Sequence, residues 1–367
     1  MSNPARGLSP DSEVLEEVRV EARRPSRTGR RRARSRRLNA WQQRFLGSDE
    51  IDVSICIANW NCRDMLRACL ESLHDQPQGV HLETVVVDNA STDGAADMVA
   101  AEFPEVILQR NASNLGFARA NNQAAQRTRG RYLFFLNNDT VVPPGTLARL
   151  VDYLEEHPEV GLLGPKLCDR NGHPQVSSRL RPTVATLLHR TCLLRWTGLL
   201  KRSYRRYRRQ DFDPETTRPV EVLMGAAMLL PRTVFFDCGG WDEEFTFGGE
   251  DLDLSARVGR RHPVVYHPQV AITHYGRVST RQHIGYASSN MAIGFLRYLR
   301  KSGCGRPVLL FYKLVVTLDA PVQFLDKASQ FLWRRLRGDQ ARAEKSRLAM
   351  LGIGHFLFRG LAGFWKA

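Results

Sequence analysis

At 367 residues, with 43% hydrophobic and 25% charged content, the chain has apolar material for one large globular domain with appendages or two modest ones, and a fibrous protein is excluded. Its formal charge of +15 calls for a polyanionic neighbour: nucleic acid, an anionic membrane face or a phosphate-bearing substrate. The seven cysteines are odd in number and never spaced as CxxC, so they read as reduced, mostly buried thiols rather than disulfides or metal ligands.

Residues 1–47 hold 12 Arg against 5 acidic residues with no apolar periodicity, which predicts a disordered basic arm. The arm lacks the apolar stretch of a secretory signal, and its acidic residues argue against a transit peptide, so a cytoplasmic location is expected. No run approaches the roughly 18 uncharged apolar residues of a membrane-spanning helix, so the chain is expected to touch a membrane without crossing it.

From residue 48 the pattern becomes α/β. Residues 51–58 read as a strand ending in the loop Asn59-Trp60-Asn61, and 62–74 carry helical spacing through Met65, Leu66, Cys69, Leu70 and Leu73. A strand at 85–87, a helix at 95–103, a short strand at 106–109 and a helix at 118–127 repeat the order. Residues 132–136 are wholly apolar, as a central strand covered on both faces of a parallel sheet requires. Pro143-Pro144-Gly145 then breaks the chain before an amphipathic helix over 146–156. Residues 161–164 and 222–230 read as later strands flanking a basic insertion at about 179–219, within which 181–209 hold nine basic and no acidic residues. From residue 285 apolar helical runs alternate with Arg and Lys, which predicts a region of amphipathic helices associating with a membrane surface.

Three polar loops carry the candidate chemistry. Asp88 follows Val85-Val86-Val87, where a carboxylate at a strand end can accept hydrogen bonds from a base or a ribose; a satisfied turn Asp is the structural alternative. Asn137 and Asp139 alternate off the end of strand 132–136 toward one point and can hold Mg²⁺ or Mn²⁺, with an Asx turn before Pro143 as the alternative. His274, at the end of another apolar run, is positioned to complete a metal site with Asp139. Glu250-Asp251 follows Gly248-Gly249 at a helix start, so an N-cap pair competes with a general base; Trp241, Phe245 and Phe247 give the same loop an aromatic wall suited to a sugar ring.

Taken in order, Val53-Ser54-Ile55 with Asn59-Trp60-Asn61, Val87-Asp88-Asn89-Ala90-Ser91-Thr92-Asp93-Gly94, Asn114-Leu115-Gly116-Phe117-Ala118-Arg119, Phe135-Leu136-Asn137-Asn138-Asp139, Gly225-Ala226-Ala227-Met228, Gly240-Trp241-Asp242-Glu243, Gly249-Glu250-Asp251-Leu252 and the stretch from His274 to Thr280 resemble the inverting family 2 glycosyltransferases of GT-A fold, in particular their rhamnosyltransferase-like branch. The likeness covers about residues 51–300 and implies a GT-A catalytic domain over 48–284, with a helical, membrane-associating region over 285–367. It implies that Asn59, Asn61, Asp88, Asn89, Asn114, Gly116, Asn137 and Asn138 bind the nucleotide-sugar. It further implies that Asp139, His274 and Asn137 hold the metal, and that Asn137 stands where the family's DxD-like motif begins with Asp. Asp251 then matches the catalytic base with Glu250 as its support, and Trp241, Gly225 and Ala226 shape the acceptor site. The expected partners are a nucleotide-sugar donor such as dTDP-rhamnose, a glycan or polyprenyl-linked acceptor of cell-envelope synthesis, the anionic inner face of the plasma membrane, and a second copy in a homo-oligomer. No specific nucleic acid is expected. Two rival readings are a nucleic-acid-binding protein using the basic arm and insertion, and a catalytically inactive scaffold, suggested by Asn137.

Overall fold

The computed structural model describes residues 51–75, 77–208, 213–276 and 284–367. The arm expected over 1–47 lies outside them, as do Arg209 and the end of the motif that runs from His274 to Thr280.

The first half alternates as expected: β1 (Val53–Asn59), α1 (Arg63–His74), β2 (Leu82–Asp88), α2 (Ala95–Glu102), β3 (Ile107–Arg110), α3 (Phe117–Gln126) and β4 (Tyr132–Leu136). After β5 (Thr140–Val141), α4 (Thr146–Glu156), β6 (Leu162–Cys168) and β7 (Ser178–Arg179) come three short helices, α5 (Val184–Leu188), α6 (Cys192–Trp196) and α7 (Lys201–Arg208). The body closes with β8 (Arg218–Pro219), β9 (Val222–Leu223), β10 (Ala227–Pro231), α8 (Arg232–Asp237), α9 (Glu250–Val258) and β11 (Val264–His274). Beyond it lie α10 (Ile284–Lys301), α11 (Arg306–Leu336), α12 (Gln340–His355), a π-helical turn at Phe356–Gly360 and α13 (Leu361–Lys366).

The main sheet runs β3-β2-β1-β4-β10-β6-β11-β5, with β8 alongside β11. β1 pairs in parallel with β2 and β4, β2 with β3, and β6 with β11, while β10 enters antiparallel between β4 and β6. Alternation along the strands explains the two cores. Val53, Ile55 and Ile57 of β1 join Phe134 and Leu136 of β4 under α1 and α4, whereas Cys56, Leu133 and Phe135 face the opposite layer with Ala120, Ala124, Trp241 and Leu254. The single strand expected over 222–230 is divided. β9 pairs with β7 and β10 with β4, and Met224-Gly225-Ala226 between them leaves the sheet, with the Asn137 N–H donating to the Ala226 carbonyl at 2.9 Å.

A third apolar cluster joins Phe295, Leu296 and Leu299 of α10 to Leu187 and Leu188 of α5 and to Phe245 and Leu252 beside α9. The helices at the C-terminal end therefore pack directly on the loop that begins α9. Two of them, Arg306–Leu336 and Gln340–Lys366, are long and apolar enough to cross a membrane by length and composition alone. Only uncharged runs were expected to qualify, but helices of this length tolerate a charge or two, and in α11 these include Lys313 and Asp319. Asp319 is fully buried, accepting the Cys192 and Leu193 N–H groups at 3.0 and 2.9 Å, so the middle of α11 is fastened to the start of α6.

Candidate active site

Parallel strands end together, and here the ends of β1, β2 and β4 deliver their polar residues to one edge of the sheet. Asn59 at the end of β1 donates to Asp88 Oδ1 at 3.0 Å and accepts from Asn138 at 2.7 Å, so one amide ties all three strand ends. Asp88 is buried, with its second oxygen taken by the Ser91 N–H at 2.9 Å. Asn61 adopts a left-handed φ of 48° and accepts the Thr92 N–H at 2.7 Å, bracing the same turn. Asn89 Oδ1 accepts from Asn111 at 2.9 Å, and its Nδ2 donates to the Gly116 carbonyl at 3.3 Å. Gly116 is required by its φ of 87° and by crowding: a Cβ there would lie 2.7 Å from the Thr246 carbonyl.

Above this floor is a cavity of about 890 Å³, ample for a ligand of nucleotide-sugar size. Asn59, Asn89, Asn114, Gly116, Asn137, Asn138, Asp139, Gly225, Ala226, Glu250, Asp251 and His274 all line it. Asp88 and Asn61 stand behind the wall as supports. Trp241 corrects the sequence expectation: it is 1% exposed, buried edge-on against Phe117 and Phe135 at 5.3 and 5.1 Å between ring centres, and does not line the cavity. An aromatic after a Gly-Gly turn fills the core because the turn folds it back over the sheet. Phe245 of the same expected wall is likewise buried and off the cavity, whereas Phe247 does line it, together with Trp60 and Tyr286 of α10, the Tyr286 ring centre lying 5.7 Å from that of Trp60 and 6.2 Å from that of Phe247.

At one part of the cavity, Asp139 Oδ1 and Asn137 Nδ2 each stand 3.4 Å from His274 Nε2. The ring's other nitrogen meets Gln175 Oε1 at 3.0 Å, while Gln175 Nε2 donates to the His274 carbonyl at 2.7 Å. That second bond fixes Gln175 with its oxygen toward the ring, so Nδ1 donates to it, and in the neutral ring Nε2 presents its lone pair toward the Asp139 carboxylate. Two facing acceptors at this spacing suit a hard cation between them. Among the described residues no cluster of three His, Cys, Asp or Glu side chains surrounds such a point, so further ligands would come from water or a bound substrate. The donor set thus fits a divalent ion completed by ligands from outside the chain.

At another part, Gly249 with φ 101° starts α9 and sets Glu250 and Asp251 in its first turn. Asp251 is buried, its Oδ1 accepting the Leu252 N–H at 2.8 Å and its Oδ2 the Arg179 guanidinium at 2.6 Å. Glu250 Oε2 is shut from solvent and has no hydrogen-bond partner among the described residues. Burial, and then the neighbouring Asp251, push its carboxyl up from 4.5 to about 8. Since the native value lies above the unfolded one, the stability this group contributes is full below about pH 4.5 and is lost as pH rises toward 8. Glu250→Gln, neutral throughout, is expected to flatten that slope, so its Tm gains on the wild type progressively between roughly pH 5 and 8. Thermal unfolding in a pH series measures this, and parallel Tm curves for the two proteins rule out a proton on Glu250.

Arg179, Tyr207, Gln175, Trp60 and Tyr286 line the cavity without having been assigned a role from the sequence. Arg179 and Tyr207 belong to the segment expected to be a basic surface insertion, and only the β7–β9 pairing brings Arg179 inward.

Residues 54–217 match the family described as Glycosyl transferase family 2. A Mycobacterium tuberculosis N-acetylglucosaminyl-diphospho-decaprenol L-rhamnosyltransferase is 29% identical over 217 residues, spanning 54% of this chain and 68% of that protein. The O-antigen biosynthesis protein RfbC of Myxococcus xanthus is 29% identical over 238 residues, 62% of this chain and 18% of its own length. Among solved structures, GalNAc-T7 with UDP, GalNAc and Mn²⁺ superposes with a TM-score of 0.50 at 16% identity, over 69% of this chain and 48% of that one, a likeness of fold.

Proposed function

The chain carries a family 2 glycosyltransferase domain on a GT-A fold, and from that premise we propose that it moves a sugar, with inversion, from a nucleoside diphosphate to a hydroxyl of a glycan acceptor. The observation that carries this reading is the single cavity in which Asp251, the Asp139–His274 pair and the amides at the strand ends all meet. The name of the mycobacterial relative supports rhamnose as the sugar moved, with dTDP-rhamnose the donor expected from the motifs, and a lipid-linked diphosphate sugar as acceptor, and that of the Myxococcus protein supports a place in cell-envelope polysaccharide synthesis.

In this mechanism Asn59, Asn89 and Asn114 orient the nucleoside, with Asp88 and Asn61 bracing their loops. The aromatic side chains of Trp60, Phe247 and Tyr286 offer an apolar face to the acceptor ring. Asp251 takes the proton of the acceptor hydroxyl as that oxygen bonds to the anomeric carbon, and the bond to the diphosphate oxygen breaks on the opposite face with its electron pair. Asp139 and His274, with Asn137 beside them, would hold Mg²⁺ or Mn²⁺, which supplies neutralisation of the charge growing on the leaving diphosphate.

Membrane association in this reading rests on one surface. Phe311, Leu314, Leu318, Leu325 and Leu332 form an exposed stripe at helical spacing along α11, and Trp196 and Leu199 are exposed on the neighbouring α6 end, close in the chain to exposed Lys201, Arg202 and Arg206. Each basic residue near an anionic leaflet adds about 1 kcal/mol of attraction. The protein lies on the inner face of the plasma membrane in this account, and salt-sensitive sedimentation with phosphatidylglycerol vesicles is the corresponding measurement.

The deciding experiment exposes the purified chain to a panel of dTDP-, UDP- and GDP-linked sugars with and without Mg²⁺ or Mn²⁺. A thermal shift that grows when metal is present, together with slow hydrolysis of one donor, is the expected result. No response to any nucleotide sugar or nucleoside diphosphate would sink the proposal.

A further inference from the structure

The cavity is lined by three carboxylates, Asp139, Glu250 and Asp251, and among the described lining residues Arg179 is the only lysine or arginine. A diphosphate entering such a site needs positive charge, and the one guanidinium present is bound elsewhere, 2.6 Å from Asp251 Oδ2. The pair is a poor arrangement for turnover on both sides. Asp251 has both oxygens engaged before an acceptor arrives, Oδ1 by the Leu252 N–H and Oδ2 by the Arg179 guanidinium. Arg179 in turn donates to Asp251 and to the Tyr207 hydroxyl, while its Nε is buried without a partner among the described residues. A guanidinium with unused donors suits bidentate binding of a phosphate group.

The backbone holds Arg179 between the two halves of the site. It lies four residues after Gln175, whose side chain clasps both the ring and the carbonyl of His274, and it is fixed by pairing with Val222. A rotation about its side-chain bonds changes its partner without moving either strand.

Resting on the glycosyltransferase reading, we propose that Arg179 exchanges partners during the cycle: it is held by Asp251 in the empty site and by a phosphate oxygen of the nucleoside diphosphate in the loaded site, so that donor binding releases the base. Arg179 is then a positioning residue that makes proton removal wait for the donor.

Calorimetric titration of dTDP and UDP into the full chain tests the exchange through a double-mutant cycle. Asp251→Asn is expected to tighten nucleotide binding several-fold, because the arginine no longer has to leave an ion pair. Arg179→Ala is expected to weaken it at least tenfold, with Arg179→Lys between, and the double variant is expected to bind like Arg179→Ala alone. Thymidine and uridine, lacking phosphate, are expected to bind all five proteins alike. Equal tightening by Asp251→Asn with and without Arg179, or none with it, overturns the exchange while leaving the enzyme reading intact. A wild-type chain that binds no nucleoside diphosphate overturns both. Should Arg179→Ala fail to fold, Arg179→Lys and Asp251→Asn complete the cycle.

Discussion

Asp251→Asn is expected to lower turnover by roughly 10²- to 10⁴-fold, the range that a positioned base supplies, while leaving the protein folded and competent for nucleotide. The asparagine keeps the shape of the residue and its bond from the Leu252 N–H, so the first turn of α9 stays in place. What is lost is the acceptor for the hydroxyl proton. The alternative carboxyl, Glu250, cannot substitute, because burial and its neighbour favour its protonated form near neutral pH. Initial rates with the donor identified by the panel decide the matter. Unchanged turnover would remove Asp251 from the mechanism and return the chain to the inactive-scaffold reading that Asn137 suggests.

Gly294→Ala, distant in sequence from the base, is expected to lower turnover by about 10²-fold through a displacement on the order of 1 Å. Gly294 lies on α10 where a Cβ would sit 1.7 Å from the Gly248 carbonyl oxygen, so helix and turn meet backbone against backbone. Gly248 is also tightly packed, its own Cβ coming 3.2 Å from the Met291 backbone. No flexible side chain can absorb the added methyl. Either α10 lifts or the Gly248-Gly249 turn shifts, and that turn aims Glu250 and Asp251. The crowding is expected to cost about 1–3 kcal/mol of stability, visible as a lower Tm. Affinity for dTDP is expected to fall much less than turnover, because the strand-end amides do not touch α10. Equal losses in both would point to general unfolding instead.

The sequence made the sheet readable because its central strands are buried on both faces and so are nearly all apolar, as at Tyr132 to Leu136. It also marked the strand-end amides and the Gly-Gly entry to α9, since turns and strand ends demand particular residues. Trp241 was misread because composition of a loop does not say which side of it faces the core. Arg179 stayed hidden for a different reason: among nine basic residues nearby it carries no periodic signature, and its place depends on the two-residue pairing of β7 with β9, far apart in the chain. The role of α10 was equally invisible, as the backbone contact between Gly294 and Gly248 leaves no pattern in either segment.

The lacing of Asn59 to Asp88 and Asn138 has a consequence for how such an enzyme can diverge. The strand-end floor of the cavity, to which the proposed function assigns the nucleotide, is cross-braced by side chains whose loss would loosen three strands at once. The remaining walls come from the 174–207 stretch and from the start of α10, which contribute Arg179, Tyr207 and Tyr286 and are held to the sheet by few of its ladder bonds. On the proposed function, a change of acceptor is therefore expected to fall on the walls while the floor stays the same.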